Sequence, residues 1–559
     1  MVAWQLGNTS VRSAMRIRDG LIAYSQSDIQ GDIRKREGDE AFRNLLGRCG
    51  VVSLGTDETQ SVGRKWRSAM GKLGFIYPKV SQADGISQSD LGPLDFITPA
   101  GWNLIRADTV PAMQECFLRA LIVPLQSAQD GDQLFSPLIW TLSLLLEIDR
   151  MGCEEGISFL EMASIVQLSD PCEGVENVVG RIVSLRRERD GSRAKKKFDK
   201  EYLDLTASKV GCMSGTLRDY ADMNIRYLKA TGMVRAKGRG VMLVPEKCSI
   251  AIQLTGVLLA NVSRKDMLTS LCRGADLPTD DDKVAVAVLR SMVEQAHDHG
   301  IVFDIQASDL RNSSSANRAR FRLEALLSEA REEEYARNQV DEWDEIATYL
   351  NALAANGEAK CLNGERVFIS REERPAYLEW SMWRAILAID SLANKPYQVI
   401  RFKVDQDFLP VGTAPGNGPD LVAEFDDFII AIEVTLSGGS RQEAMEGEPV
   451  RRHVADLCQR YEKSVYGIFI AGKVDTNTAE TFRRGIWYLP NDERLDLHIV
   501  PLTIEQFAKF FRWLFEHDSV SPQMLVDLVE KCSEERDGMD APLWKKSIGT
   551  RLSECMPTL

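Results

Sequence analysis

The sequence predicts a multidomain chain with a mainly α-helical amino-terminal part, a helical linker and a carboxy-terminal α/β domain. Three observations lead there. Twice within the first 250 residues a basic helical pattern is followed by two short apolar runs around a turn. From about 251 to 358 helical periodicity continues without strand-like alternation. After 359, helical and strand patterns alternate around the run LVAEFDDFIIAIEV. At 559 residues the chain suits three to four domains with ample core, and the boundaries fall at 1–110, 111–250, 251–358 and 359–559.

Composition narrows the function classes. Hydrophobic content of 44% and charged content of 27% are ordinary for a globular protein. The first twenty residues have no apolar signal core, and the longest apolar stretch, PLIWTLSLLLEIDRMG, is shorter than a membrane span. A cytoplasmic location with no membrane partner is the expectation. None of the eleven cysteines falls in a CxxC pair, and Cys116, Cys458 and Cys532 read as reduced core residues. With five histidines and no paired Cys/His spacing, a structural zinc site is disfavoured. Metal chemistry therefore points to carboxylates.

A net charge of −14 argues against indiscriminate coating of nucleic acid, but basic residues cluster. Residues 34–72 and residues 181–200 each carry nine Lys/Arg, against five and three acids respectively.

In chain order, IRKREGDEAFRNLLGR reads as an amphipathic helix. SVGRKWRSAMGKLG follows as a helix with a cationic face, closed by Gly74. FIYP and DFITPAGW read as the two strands of a hairpin. Helix followed by hairpin is the layout of a winged helix; a solvated basic helix is the bland alternative. FSPLIWTLSLLLEIDRMG and ISFLEMASIVQLSD have helical periodicity. SGTLRDYADMNIRYLKATGMV reads as a helix capped at Gly232, and VRAKGRGVMLVP as a second hairpin with the tip Lys237-Gly238-Arg239-Gly240. A second helix-plus-wing unit suits contact with duplex DNA. Arg64, Arg67 and Lys72 are candidate base readers by helix position, Arg36 and Lys237 candidate backbone contacts. Arg187 and Lys195 of the basic run and Arg239 at the tip complete the DNA-binding candidates. Between 251 and 358 the helices form a spacer whose loops are placed at DLPTDDDK and NSSSANRAR, and EAREEEYAR is a solvated face.

The last 200 residues run helix (PAYLEWSMWRAILAIDSL), strand (YQVIRFKV), hairpin, helix (PVRRHVADLCQRYEKS), strand (VYGIFIAG), helix (TAETFRRGIWYL), strand (LDLHIVPLT) and a closing helix EQFAKFFRWLFEH. Within the hairpin, Pro419-Asp420 precedes the first strand and Glu433 ends the second, with an Asp426-Asp427 turn between. The hairpin brings both carboxylates to one edge of the sheet. Two acids beside a backbone carbonyl make a hard-oxygen site suited to Mg²⁺. The bland alternative is a strand carboxylate paired with Arg441 or Arg451. Glu379 lies on the first helix, on the side expected to face the hairpin.

Pro-Asp followed by Glu-x-Thr on the next strand resembles the PD-(D/E)xK nuclease superfamily. The whole chain resembles the AlwI-type family of restriction endonucleases, which includes the MlyI, PleI and BstNBI kinds and their strand-nicking relatives. YLEWSMW, GNGPD, DDFIIAIEVT, MEGEPVRRH and IFIA carry the likeness in the last part; KLGFIY, ITPAG, SPLIWTLSLL, RYLKATGMV and VPEK carry it before. The resemblance implies a bacterial cytoplasmic, type IIS or nicking, site-specific deoxyribonuclease with a PD-(D/E)xK endonuclease domain. It implies that Asp420, Glu433 and the Val434 carbonyl hold Mg²⁺, and that Glu379, Glu446 and His453 belong to the catalytic set. Thr435 stands where the superfamily usually has lysine, which leaves the group that orients the water open. The implied partners are double-stranded DNA, a transient homodimer or small nuclease subunit for double-strand cleavage, and a cognate DNA methyltransferase. The competing reading is a site-specific DNA-binding regulator or repair protein with a degenerate nuclease domain.

Overall fold

The computed structural model describes residues 3–556 except 10, 12, 53–60, 82–83, 125, 130–132, 153–155, 193, 257–262, 299, 361–365, 372 and 390. The chain forms two compact units, Met1–Leu327 and Ser328–Leu559. Among the described residues no helix is long and apolar enough to cross a membrane.

The first unit is mainly helical. The basic stretch at its start forms helices Lys35–Arg48 and Val62–Lys72, packed through Phe42, Leu45, Trp66 and Met70. FIYP and DFITPAGW meet, but as a single antiparallel bridge, Ile76 to Ile97, rather than as hairpin strands. Pro78 has no N–H to continue the ladder. Thr98 instead caps a helix, Pro99–Arg106, its hydroxyl accepting from the Gly101 N–H. The second hairpin forms as expected: Val234–Lys237 pairs antiparallel with Gly240–Leu243. Ile157 adds a bridge to Val241, and that approach requires glycine at 240, where a Cβ would lie 2.0 Å from the Ile157 carbonyl oxygen. NSSSANRAR is not a loop; the helix Ser313–Asn338 begins inside it.

The second unit wraps helices around one four-stranded mixed sheet. The elements around that sheet include α1 (Arg374–Ile389), β1 (Leu421–Glu424), β2 (Phe428–Thr435), α2 (Glu448–Arg460), β3 (Ser464–Ala471), α3 (Thr476–Arg484), β4 (His498–Thr503), α4 (Ile504–Glu516), α5 (Gln523–Glu534) and α6 (Ala541–Glu554). The strand order is β4-β3-β2-β1, with β1 antiparallel to β2 and the other neighbours parallel. β2 and β3 are central, which is why FIIAI and GIFIA are unbroken apolar runs rather than alternating ones. Trp383 and Phe469 are fully buried in this core.

Three expectations are corrected. YQVIRFKV is not a strand: Pro396 opens a short helix, Pro396–Val399, whose Gln398 side chain accepts from the Lys395 N–H. Only single bridges follow, Ile400 to Leu421 and Val404 to Pro410. TAETFRRGIWYL stops as a helix at Arg484, and Ile486–Tyr488 pairs with Arg494–Asp496. The chain does not close on α4, because α5 and α6 add Leu525, Leu528, Val529 and Trp544 to the core.

Candidate active site

The hairpin register builds the site. Leu421 pairs with Ile432, so one step further Asp420 stands opposite Glu433, and opposite residues share a face. Glu433 is buried and Asp420 half-buried. The Asp420 Oδ2 accepts from the Val434 N–H at 2.8 Å, which fixes its orientation across the strands. Glu379 is buried on α1, and its Oε2 accepts from the Ala414 N–H at 2.7 Å. That helix is anchored by Arg384, fully buried, which donates to the Gln339 side chain at 2.6 Å and pairs with Glu342 and Glu345.

His453 and Glu446 come from beyond β2. A π-helical turn, Glu443–Gly447, runs directly into α2 with Pro449 in its first turn. The seven-residue spacing therefore stays on one helical course. His453 Nδ1 and Glu433 Oε1 are 2.6 Å apart, while His453 Nε2 is buried with no hydrogen-bond partner among the described residues. The Thr435 hydroxyl bonds to Glu446 and opposes the rise in its pKa. Neither Arg441 nor Arg451 fills the pairing role suggested for it: Arg441 is exposed, and Arg451 donates to the Gly447 and Ile486 carbonyls.

Electrostatics show what this arrangement lacks. Burial pushes the Asp420 carboxyl up to about 7, with the charges of Glu433 and Glu446 adding to it. Burial and then Glu446 push Glu433 up to about 8. Burial and then Asp420 push Glu379 up to about 9. Glu446 is raised by burial, and His453 is lowered by burial with help from Arg452 and Arg401. Acids that raise one another in this way are short of positive charge. Among the described residues no group of three or more His, Cys, Asp or Glu side chains is placed to hold a metal ion. Two oriented carboxylates suit a hard cation that completes its shell with water and phosphate.

Arg401 was absent from the sequence candidates. The bridge from Ile400 to Leu421 places it opposite Asp420, one chain further across the sheet edge. Its charge reaches Glu433 and His453. The available signal was a cation in RFK, masked by the mistaken strand.

In the first unit two basic features singled out separately meet around one cavity of about 660 Å³. Lys237, Gly238 and Arg239 of the hairpin tip line it with Arg186, Arg189, Lys196, Lys200 and Arg218. The Arg239 guanidinium lies 4.3 Å from the centre of the Phe159 ring. Arg187 is exposed and does not line the cavity; Lys195 is paired with Asp190 at 2.9 Å. Arg36 and Arg64 are exposed. Arg67 is committed to the Asp39 carboxylate at 2.6 Å and to the Ile33 carbonyl, and Lys72 donates to the carbonyls of Gln5 and Gly7.

No match was found among curated proteins. Among solved structures the chain is similar to the small subunit (R.BspD6I2) of the heterodimeric restriction endonuclease R.BspD6I. Identity is 22%, covering 38% of this chain and 99% of that one, with a TM-score of 0.29. The family model described as AlwI restriction endonuclease matches residues 71–510, a span that takes in the carboxylate hairpin, the helix of Glu379 and the basic cavity. The chain belongs to the AlwI restriction endonuclease family.

Proposed function

We propose that the protein is a type IIS restriction endonuclease, or its strand-nicking form. In this reading it binds a short asymmetric duplex site and hydrolyses phosphodiester bonds a few base pairs away with Mg²⁺. The observation that carries it is the row of Asp420 and Glu433 across the hairpin end, with Glu379 against them and every one of the three held by a hydrogen bond. Restriction endonucleases are generally divalent-metal dependent, and mutually raised acids fit a cation held by Asp420, Glu433 and the Val434 carbonyl. Mg²⁺ bound there would supply a Lewis acid for the phosphate and its attacking water.

The chain's own residues do the positioning. The Val434 N–H locks Asp420 and His453 locks Glu433 in single orientations, so little reorganisation is needed when DNA arrives. Glu446, tied to Thr435, adds a carboxylate where the superfamily motif has lysine. A PD-(D/E)xK domain over 359–559, two winged-helix-like reader domains over 1–110 and 111–250, and a spacer over 251–358 are part of the proposal. The hairpin Val234–Leu243 beside the basic cavity supports the second reader. One such site per chain cuts one strand. A double-strand break then needs a transient homodimer or a small nuclease subunit, and a cognate methyltransferase protects the host DNA.

The test is digestion of a sequence-diverse supercoiled plasmid with Mg²⁺, comparing wild type with Asp420→Ala. Discrete linear fragments or open circles, lost in the variant, support the reading, and end sequencing gives site and offset. A plasmid left intact by wild type while duplex DNA still shifts in a gel sinks it.

A further inference from the structure

We propose that Arg401 is the phosphate-holding cation of this active site, serving where Thr435 leaves the motif without a lysine; the inference rests on the nuclease reading above. Four observations place it there. The bridge between Ile400 and Leu421 sets Arg401 opposite Asp420, and the hairpin register sets Asp420 opposite Glu433. Arg401, Asp420 and Glu433 thus form one row across three neighbouring segments, on one face. The guanidinium is steered by Asn417, whose side-chain oxygen accepts from its Nη2. Its Nη1 is buried and has no hydrogen-bond partner among the described residues. A buried donor left unsatisfied costs free energy, and a ligand oxygen beside it would remove that cost.

Gly418 supplies the fourth observation. A Cβ at 418 would lie 2.2 Å from Arg401 Nη1, so a side chain there would make the guanidinium shift. This explains the GNGPD block in physical terms. Asn417 orients the arginine, Gly418 leaves it room, and Asp420 begins the acidic pair. Thr435 is no substitute, because its hydroxyl is engaged with Glu446 and accepts from the Ser437 N–H.

A guanidinium presents parallel donors that match the geometry of phosphate oxygens. Set beside the acidic row, the guanidinium donates to a non-bridging oxygen of the scissile phosphate as negative charge builds there. The chemical step is hydrolysis. A water oxygen bonds to phosphorus, the bond from phosphorus to the 3′ oxygen breaks, the water loses a proton and the leaving oxygen gains one. The products are 5′-phosphate and 3′-hydroxyl ends. Arg401 takes no part in these proton transfers, so its contribution falls on the transition state.

The experiment compares wild type, Arg401→Ala and Arg401→Lys in plasmid cleavage with Mg²⁺, alongside duplex binding and thermal melting. Arg401→Ala is expected to lower the cleavage rate at saturating DNA by roughly 10²–10³-fold while KM and duplex affinity stay within about threefold. Arg401→Lys recovers part of the rate, and millimolar guanidinium recovers part of it in Arg401→Ala without helping wild type. Wild-type cleavage by Arg401→Ala overturns the proposal. So does a rate loss that follows a lower melting temperature and responds neither to lysine nor to guanidinium. A wild-type protein that cuts no DNA sinks the nuclease reading itself, which is a separate failure.

Discussion

The carboxylate row at the sheet edge and the cationic surface of the first unit are both DNA-facing in the proposed reading, but they are built in opposite ways. Asp420, Glu433 and Glu379 sit on or beside buried elements, and each has an oxygen held by a backbone or histidine nitrogen. The cations of the first unit stand on helix faces and a hairpin tip, where Arg36, Arg64 and Arg239 are exposed. Catalysis needs atoms fixed to fractions of an ångström, and backbone register gives that at low entropy cost. Long flexible cations suit a partner whose phosphates are many and interchangeable. The difference teaches that the acidic row should respond to single substitutions steeply and the basic surface gradually.

The steepest expected effect is at the row. Asp420→Ala should cut the cleavage rate by roughly a thousandfold or more, since the lost cation stabilisation is several kcal/mol and each 1.36 kcal/mol is tenfold. Duplex affinity in a gel-shift titration should stay within about twofold; a matching loss of binding would erase the distinction between the two regions. The basic cavity should behave otherwise. Lys196→Ala with Lys200→Ala is expected to lower the slope of log affinity against log salt by about 2, one per phosphate contact, with little effect on rate at saturating DNA. An unchanged slope would remove this cavity from the DNA path.

The row should also show itself without DNA. Asp420, Glu433 and Glu379 have folded-state pKa values raised to about 7, 8 and 9, above the ordinary carboxylate range near 4 that an unfolded chain shows. Their contribution to stability is then fully present below that range and is lost as pH rises through the folded values. In EDTA the melting temperature should fall between pH 6 and pH 9, Asp420→Asn should blunt the fall, and Mg²⁺ should oppose it. A melting temperature that stays flat or rises over that interval would contradict the electrostatic picture.

The smallest expected effects separate two arginines on one helix. Arg67→Ala removes a half-buried link to Asp39 and the Ile33 carbonyl and should cost about 2 kcal/mol of stability. Arg64 is exposed, and Arg64→Ala should leave melting unchanged while weakening duplex binding. Equal melting of the two variants would mean that the tertiary links of Arg67 contribute nothing.

Much was legible in the chain alone, for identifiable reasons. LVAEFDDFIIAIEVT could only be a hairpin with a buried second strand, because its apolar run is bounded by Asp426-Asp427 and interrupted by one acid. That pattern dictates the pairing of Asp420 with Glu433. The tip Lys237-Gly238-Arg239-Gly240 was legible for the same reason, since two turn residues between apolar runs set the register. The helix α5 is legible too, in the spacing of Leu525, Leu528, Val529 and Cys532.

Other features were decided only by tertiary structure. YQVIRFKV has strand-like composition, and a short apolar run does not choose between helix and strand by itself; Pro396, with Trp383 donating to its carbonyl, chose a helical turn. That choice delivers Arg401 to Asp420. The meeting of the basic run with the hairpin tip around one cavity likewise depends on contacts across dozens of residues. Local pattern determines register and period because these repeat along the chain. Which distant side chain completes a site depends on packing that no local window contains.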